Sequence, residues 1–226
     1  MPASRPHAIW CNSGGMATSE NKVPAAKPRR VGRPASMAAP RETIMRAASD
    51  LFAQGGFAQT SLMDIAAAVG LSKAAVYHYF PTKQVLYDAI VVDLLQRLHD
   101  HVAGALPVET EPVGIRLRAA MRGHAEFFEK NFAEYVTLLH GFGGLNRVVS
   151  DDERAIRKRY ETMFRAIISK GIADGAIRTS DAAVIARGAL SMLNWMTRWF
   201  DPKGKRRAVD FADDYFDLLA HGILKP

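Results

Sequence analysis

A single cysteine, Cys11, in 226 residues leaves the chain no internal disulfide, and its place in a polar N-terminal stretch argues against a catalytic thiol. No apolar run approaches the roughly 18 residues of a membrane span, and no secretion-signal core is visible. A reducing cytoplasm without membrane contact is therefore the expected setting. A Walker-type Gly loop, a Gly-x-Ser-x-Gly elbow and a Cys-x-x-Cys pair are also missing, which removes the commonest catalytic apparatus and points away from an enzyme. His99 and His101 stand two residues apart, as do His124 and Glu126, whereas neighbours on one helix face lie three or four apart. Solvated or core histidines are expected there, with no metal and no cofactor.

No stretch alternates apolar and polar residues over strand length, and no internal repeat is present. What remains is helical periodicity. The expected fold is all-α, with about nine helices. Net charge is +7, and residues 1 to 41 hold seven cations against Glu20 alone, so the remainder is almost neutral. A basic segment of this kind can bind phosphates by counterion release.

Residues 1 to 36 are rich in Pro, Ala, Ser and Gly without periodicity, and read as a disordered basic tail. Within it, the run carrying Arg29, Arg30 and Arg33 resembles Gly-Arg-Pro arms that enter narrow A·T-rich minor grooves. A plain solubilising tail is the alternative. From Arg41, Ile44, Ala47, Ala48, Leu51 and Phe52 recur at helical spacing up to Gly55-Gly56. Leu62, Ile65, Ala66, Val69, Leu71, Val76, Tyr79 and Phe80, with Phe57, are the expected remainder of a three-helix core. Val85, Leu86, Ile90, Leu94, Leu98 and Val102 then mark a helix of roughly twenty residues leading into the body. Further helices are expected at about 112–130, 132–146, 151–174, 181–200 and 205–222.

Residues 60 to 87 read as two short helices, a tight turn at Gly70, and the start of a third helix. Thr60 or Ser61 can cap the first and Ser72 the second, and all three are also candidate DNA contacts. The second helix carries Lys73, Ala74, Tyr77 and His78 at exposed positions, a small-residue face with polar tips suited to a major groove. The run ending Tyr77-His78-Tyr79-Phe80-Pro81-Thr82-Lys83 resembles the DNA-binding domain of TetR-type transcriptional regulators, in which a Tyr-x-x-Phe-x-x-Lys pattern closes the recognition helix. An αα-hairpin without a DNA role is the alternative. The resemblance implies an operator-binding domain at 37–85 and a ligand-binding and dimerisation domain at 86–226. Lys83 is expected to meet a DNA phosphate.

In the last two helices, Ala186, Ala189, Leu190, Leu193, Met196, Trp199 and Phe200 form one apolar stripe, and Val209, Ala212, Tyr215, Phe216 and Leu219 form another. They suit either intrachain packing or a four-helix homodimer interface, and the resemblance implies the latter. Leu193-Asn194-Trp195-Met196-Thr197-Arg198-Trp199-Phe200-Asp201-Pro202-Lys203-Gly204 is similar to a stretch found in the acyl-CoA-responsive branch of the same family. That similarity implies an apolar chamber for an acyl group and cations for coenzyme A phosphates. The candidates are Phe127, Phe128, Leu138, Phe142, Phe164, Ile167, Met192 and Trp195, with Arg187 and Arg198 as anionic anchors. The bland alternative is that this stripe is core.

A repressor released from palindromic double-stranded DNA by a small-molecule effector, an acyl-CoA thioester, follows as the expected function. Glu126, Glu129, Glu134 and Asp174 keep open an efflux regulator sensing cationic or aromatic drugs. An acyl-CoA enzyme or carrier is the reading from another class.

Overall fold

The computed structural model describes residues 40–140, 149–178 and 181–223, with backbone alone for 137–140 and 223. Among them are nine α-helices: α1 Pro40–Gly55, α2 Leu62–Ala68, α3 Lys73–Tyr79, α4 Lys83–Ala105, α5 Val113–Lys130, α6 Phe132–His140, α7 Asp151–Ala173, α8 Ala182–Trp195 and α9 Ala208–Ile223. No helix of the described residues is long and apolar enough to cross a membrane.

Local chemistry explains where the small helices begin. The Ser61 hydroxyl accepts from the Asp64 amide, while the Asp64 carboxylate accepts from the Ser61 amide at 2.8 Å. This reciprocal box satisfies two donors that a helix start leaves unpaired. Its hydrogen bonds from the Ser61 hydroxyl and backbone lower the Asp64 pKa below the usual carboxylate value. Ser72 caps α3 through the Ala75 amide, and Thr82 caps α4 through the Val85 amide. Between α2 and α3 the chain reverses at Gly70, whose φ of 65° is costly for a residue with a Cβ.

α1 to α3 enclose Ile44, Ala48, Phe52, Leu62, Ile65, Val76 and Phe80, all buried. Phe57 plugs the assembly, its ring 5.2 Å from both Phe52 and Tyr87. Two residues expected in the apolar stripes lie outside them. Tyr79 and Val85 are exposed, because the third helix and the start of α4 turn these positions to the outside while Val76, Phe80 and Leu86 fill the interior.

In the body, α5 runs through the centre and packs on α4, α7 and α9, while α8 packs on α7. Gly171 makes the α5 and α7 approach possible: an added Cβ would lie 2.7 Å from a Val113 methyl and 2.9 Å from the Ile177 Cδ1. α6 lies against both α1 and α4, joining the body to the first helix of the small domain. The α8 and α9 stripes expected at a dimer seam are in large part internal. Ala186, Ala189, Leu193, Met196, Val209, Ala212 and Phe216 are buried within the protomer, leaving other apolar positions of these helices on the surface.

Candidate functional site

Two sites emerge, one in the small domain and one in the body. The first is the outward face of α3. Val76 anchors this seven-residue helix in the core, so Ser72, Lys73, Ala74, Tyr77 and His78 all face outward. The Lys73 ammonium lies 5.4 Å from the Tyr77 ring centroid, and Tyr77 remains 41% exposed. Ser61 is exposed at the start of α2, but Thr60 is buried, its hydroxyl donating to the Gly56 carbonyl at 3.0 Å.

Lys83, expected to meet a phosphate, has its ammonium engaged within the domain. Its ammonium donates to the carbonyls of Phe57 at 2.6 Å, Thr60 at 2.8 Å and Ala58 at 3.3 Å, and sits 4.3 Å from the Phe57 ring centroid. An ammonium has three hydrogens, and these three carbonyls take them. The lysine therefore ties the start of α4 to the α1–α2 connection. Arg29, Arg30 and Arg33 lie outside the described residues.

The second site is a cleft of about 220 Å³. α4 contributes Leu95 and Leu98, α6 Tyr135, α7 Arg157, Tyr160 and Glu161, and α8 Arg187, Leu190, Ser191 and Asn194. The guanidinium groups are partnered: Arg157 donates twice to the buried Glu153, at 2.9 and 2.7 Å, and Arg187 lies 3.1 Å from Glu161.

A hydrogen-bonded chain closes the inner wall. The Tyr160 hydroxyl is 3.0 Å from the His124 Nδ1, the His124 Nε2 is 3.2 Å from the Tyr135 hydroxyl, and that hydroxyl is 2.9 Å from the Asn194 Oδ1. Its direction is fixed from the Asn194 end. The Asn194 Nδ2 donates to the Leu190 carbonyl at 2.8 Å, so its Oδ1 must accept from Tyr135. Having given its only proton, the Tyr135 oxygen accepts from the His124 Nε2–H, and the neutral ring accepts from Tyr160 at Nδ1. Burial pushes the His124 imidazole down to about 3, which keeps it neutral, and pushes both tyrosines up.

Of the expected chamber residues whose side chains are described, Arg187 is the one that lines the cleft. Phe127, Phe128, Phe164 and Ile167 are buried behind the chain, with Phe128 in edge contact with Phe132, Tyr135 and Phe200. Phe128, enclosed by these rings, offers a ligand no surface, and none of the four lines the cleft. Met192 is half-buried, and Trp195 is 63% exposed with the Arg198 guanidinium 5.8 Å from its ring centroid. Phe142 and the Leu138 side chain lie outside the described residues. Tyr135, Tyr160 and Asn194 are the residues that apolar periodicity passes over. Tyr135 and Tyr160 are buried and carry only a polar tip at a core position, and Asn194 is exposed.

The four carboxylates expected to suit a cationic drug have other partners. Glu129 lies 3.4 Å from the Arg207 Nε and accepts from the Ala208 amide, Glu134 pairs with Arg97 at 2.6 Å, Asp174 pairs with Lys170, and Glu126 lies 4.0 Å from His101.

Residues 44–90 match the family model for bacterial regulatory proteins of the tetR family, and residues 110–223 match the tetracyclin repressor-like C-terminal domain. A TetR family transcriptional regulator, PfmR from Thermus thermophilus, is 39% identical, with 79% of this chain and 97% of that one aligned at a TM-score of 0.67. AibR, solved with isovaleryl coenzyme A and operator DNA, is 27% identical over 79% of this chain and 96% of its own, at a TM-score of 0.67. The transcriptional repressor KstR2 of Mycolicibacterium smegmatis is 24% identical across 84% of this chain and 93% of its own length.

Proposed function

Since the chain belongs to the TetR family of bacterial transcriptional regulators, DNA-binding repressors rather than enzymes, we propose that it binds a palindromic operator as a homodimer and is released by an acyl-CoA thioester. α3 is the reading helix, with Lys73, Tyr77 and His78 toward the major groove and residues 37–85 as the DNA-binding domain. Residues 86–226 hold the effector and the second copy.

The observation that carries the effector reading is the placement of the 220 Å³ cleft. Tyr135, in its wall, stands on α6, and α6 packs on α1 of the small domain. Glu134, the preceding residue, is tied to Arg97 of α4, which also holds Asp93 at 2.8 Å. A ligand seated against Tyr135 therefore bears on the helix touching both α1 and α4. Switching the population from 1:99 to 99:1 takes a differential affinity of about 5.5 kcal/mol, and burying six or seven carbons at about 0.8 kcal/mol each is of that size.

For the homodimer, the support is what α8 and α9 leave outside. Val184 is 62%, Trp195 63% and Leu218 67% exposed, and Val184, Gly188, Ser191 and Trp195 fall on one face of α8 at helical spacing. A Cβ at Gly188 would meet nothing within 4 Å, so a second helix can approach there. The partnered carboxylates weigh against the drug-sensor alternative.

Gel retardation tests the reading directly. A palindromic duplex selected from random DNA by the protein is challenged with acyl-CoA thioesters and, separately, with lipophilic cations. Release by thioesters supports the effector class; release by cations alone rejects it.

A further inference from the structure

Resting on the proposed acyl-CoA response, we infer that the effector carries a short acyl group, of about four to seven carbons, whose thioester carbonyl accepts a hydrogen bond from Asn194. The first ground is volume. At the roughly 30 Å³ that one water takes up in the liquid, 220 Å³ is room for a group of about seven waters' size, and it falls below the range of pockets that enclose a whole drug-sized ligand. The nucleotide half of a thioester must then remain outside the cleft.

The second ground is that the cleft cannot deepen cheaply. Its inner wall is the Tyr160–His124–Tyr135–Asn194 chain, backed by Phe128 and Phe164, both fully buried. Pushing a ring system through this wall separates buried polar groups that satisfy one another, and each orphaned group is costly. Polycyclic acyl groups are thereby refused.

The third ground is polarity. Asn194 gives its Oδ1 to Tyr135 and one amide hydrogen to Leu190, which leaves its second amide hydrogen for a ligand. A thioester carbonyl is an acceptor only, and Leu95, Leu98 and Leu190 offer apolar contact to the carbons beyond it. Placement of the carbonyl by Asn194 also makes chain length countable, because Tyr160, at the other end of the wall, is held in place by the same hydrogen-bonded chain.

The full chain is titrated by isothermal calorimetry, and its DNA complex by gel retardation, with butyryl-, isovaleryl-, hexanoyl-, lauroyl- and a steroid-derived acyl-CoA, and with free coenzyme A. The short thioesters are expected to bind at least about tenfold more tightly than the lauroyl and polycyclic ones, the scale on which apolar pockets discriminate size. Leu190→Ala, at the partly exposed rim, enlarges the cleft and shifts the optimum to longer chains. Equal or tighter binding of the long or polycyclic thioesters by the unaltered protein overturns the size inference and leaves the acyl-CoA reading standing. Failure of every thioester to bind removes that reading and this inference with it.

Discussion

At the scale of single residues, His124 shows how a titratable group becomes a fixed structural part. Burial between Tyr135 and Tyr160 depresses its pKa from about 6.5 to about 3. Between those values the unfolded chain binds a proton that the folded chain does not. Stability from this group is therefore complete above about pH 6.5 and is lost progressively as pH falls toward 3. Urea denaturation at pH 7 and pH 5 should differ by about 2 kcal/mol from His124, at about 1.4 kcal/mol per pH unit. His124→Gln should lose that part of the difference, and an unchanged pH slope in the variant would assign the acid sensitivity elsewhere. Lys83 makes a separate case. With its hydrogens on the carbonyls of Phe57, Ala58 and Thr60, Lys83→Met should lower the melting temperature of the chain while leaving the salt dependence of DNA binding as it was. Lys73→Ala should do the reverse, making the dependence of log affinity on log salt shallower by about one unit with little loss of stability. A shallower salt dependence for Lys83→Met would return Lys83 to the phosphate.

At the scale of elements, the α5–α7 crossing depends on a missing side chain. Gly171→Ala drives a methyl into Val113 and Ile177, an overpacking expected to cost about 1–3 kcal/mol, read as a lower urea midpoint at unchanged slope. An unaltered midpoint would mean that the crossing opens freely. Helix order and caps were legible in the sequence, because Ser61, Gly70, Ser72 and Thr82 act on their own neighbourhood within a few residues. Facing was less legible. Tyr79 and Val85 are apolar enough for either side, and they stay outside because Val76, Phe80 and Leu86 fill the interior. The α8 and α9 stripes were ambiguous for a related reason: a helix in a multilayer body has two apolar faces, and periodicity does not say which one the protomer fills itself. The cleft was hidden in the same way. Phe127, Phe128, Phe164 and Ile167 have the composition of a chamber, yet Tyr135, Tyr160 and Asn194 bound the open space because their polar tips, joined through His124, pair across four helices. Such pairing joins residues far apart in the chain and leaves no local pattern.

At the scale of the whole molecule, a two-fold operator asks for two copies of α3 at a spacing set by something rigid. One copy holds a single recognition helix, so each half-site gains little without the other. The face of α8 containing Val184, Gly188, Ser191 and Trp195, with Leu218 of α9, is the surface proposed for the partner, and it adjoins the cleft through Ser191. Val184→Glu places a charge where two such faces would meet, and desolvating an unpaired carboxylate across a close helix contact is prohibitive. The position is exposed in the protomer, so the substitution should leave helix content by circular dichroism and the melting profile of the isolated protomer intact. Sedimentation velocity should then give a monomer in place of a dimer, and the palindromic complex should weaken by at least about a hundredfold, since losing the second half-site forfeits its share of phosphate and base contacts together. A Val184→Glu protein that still sediments as a dimer and binds palindromes at full strength would place the seam on some other face, and with it the element that fixes the distance between the two reading helices.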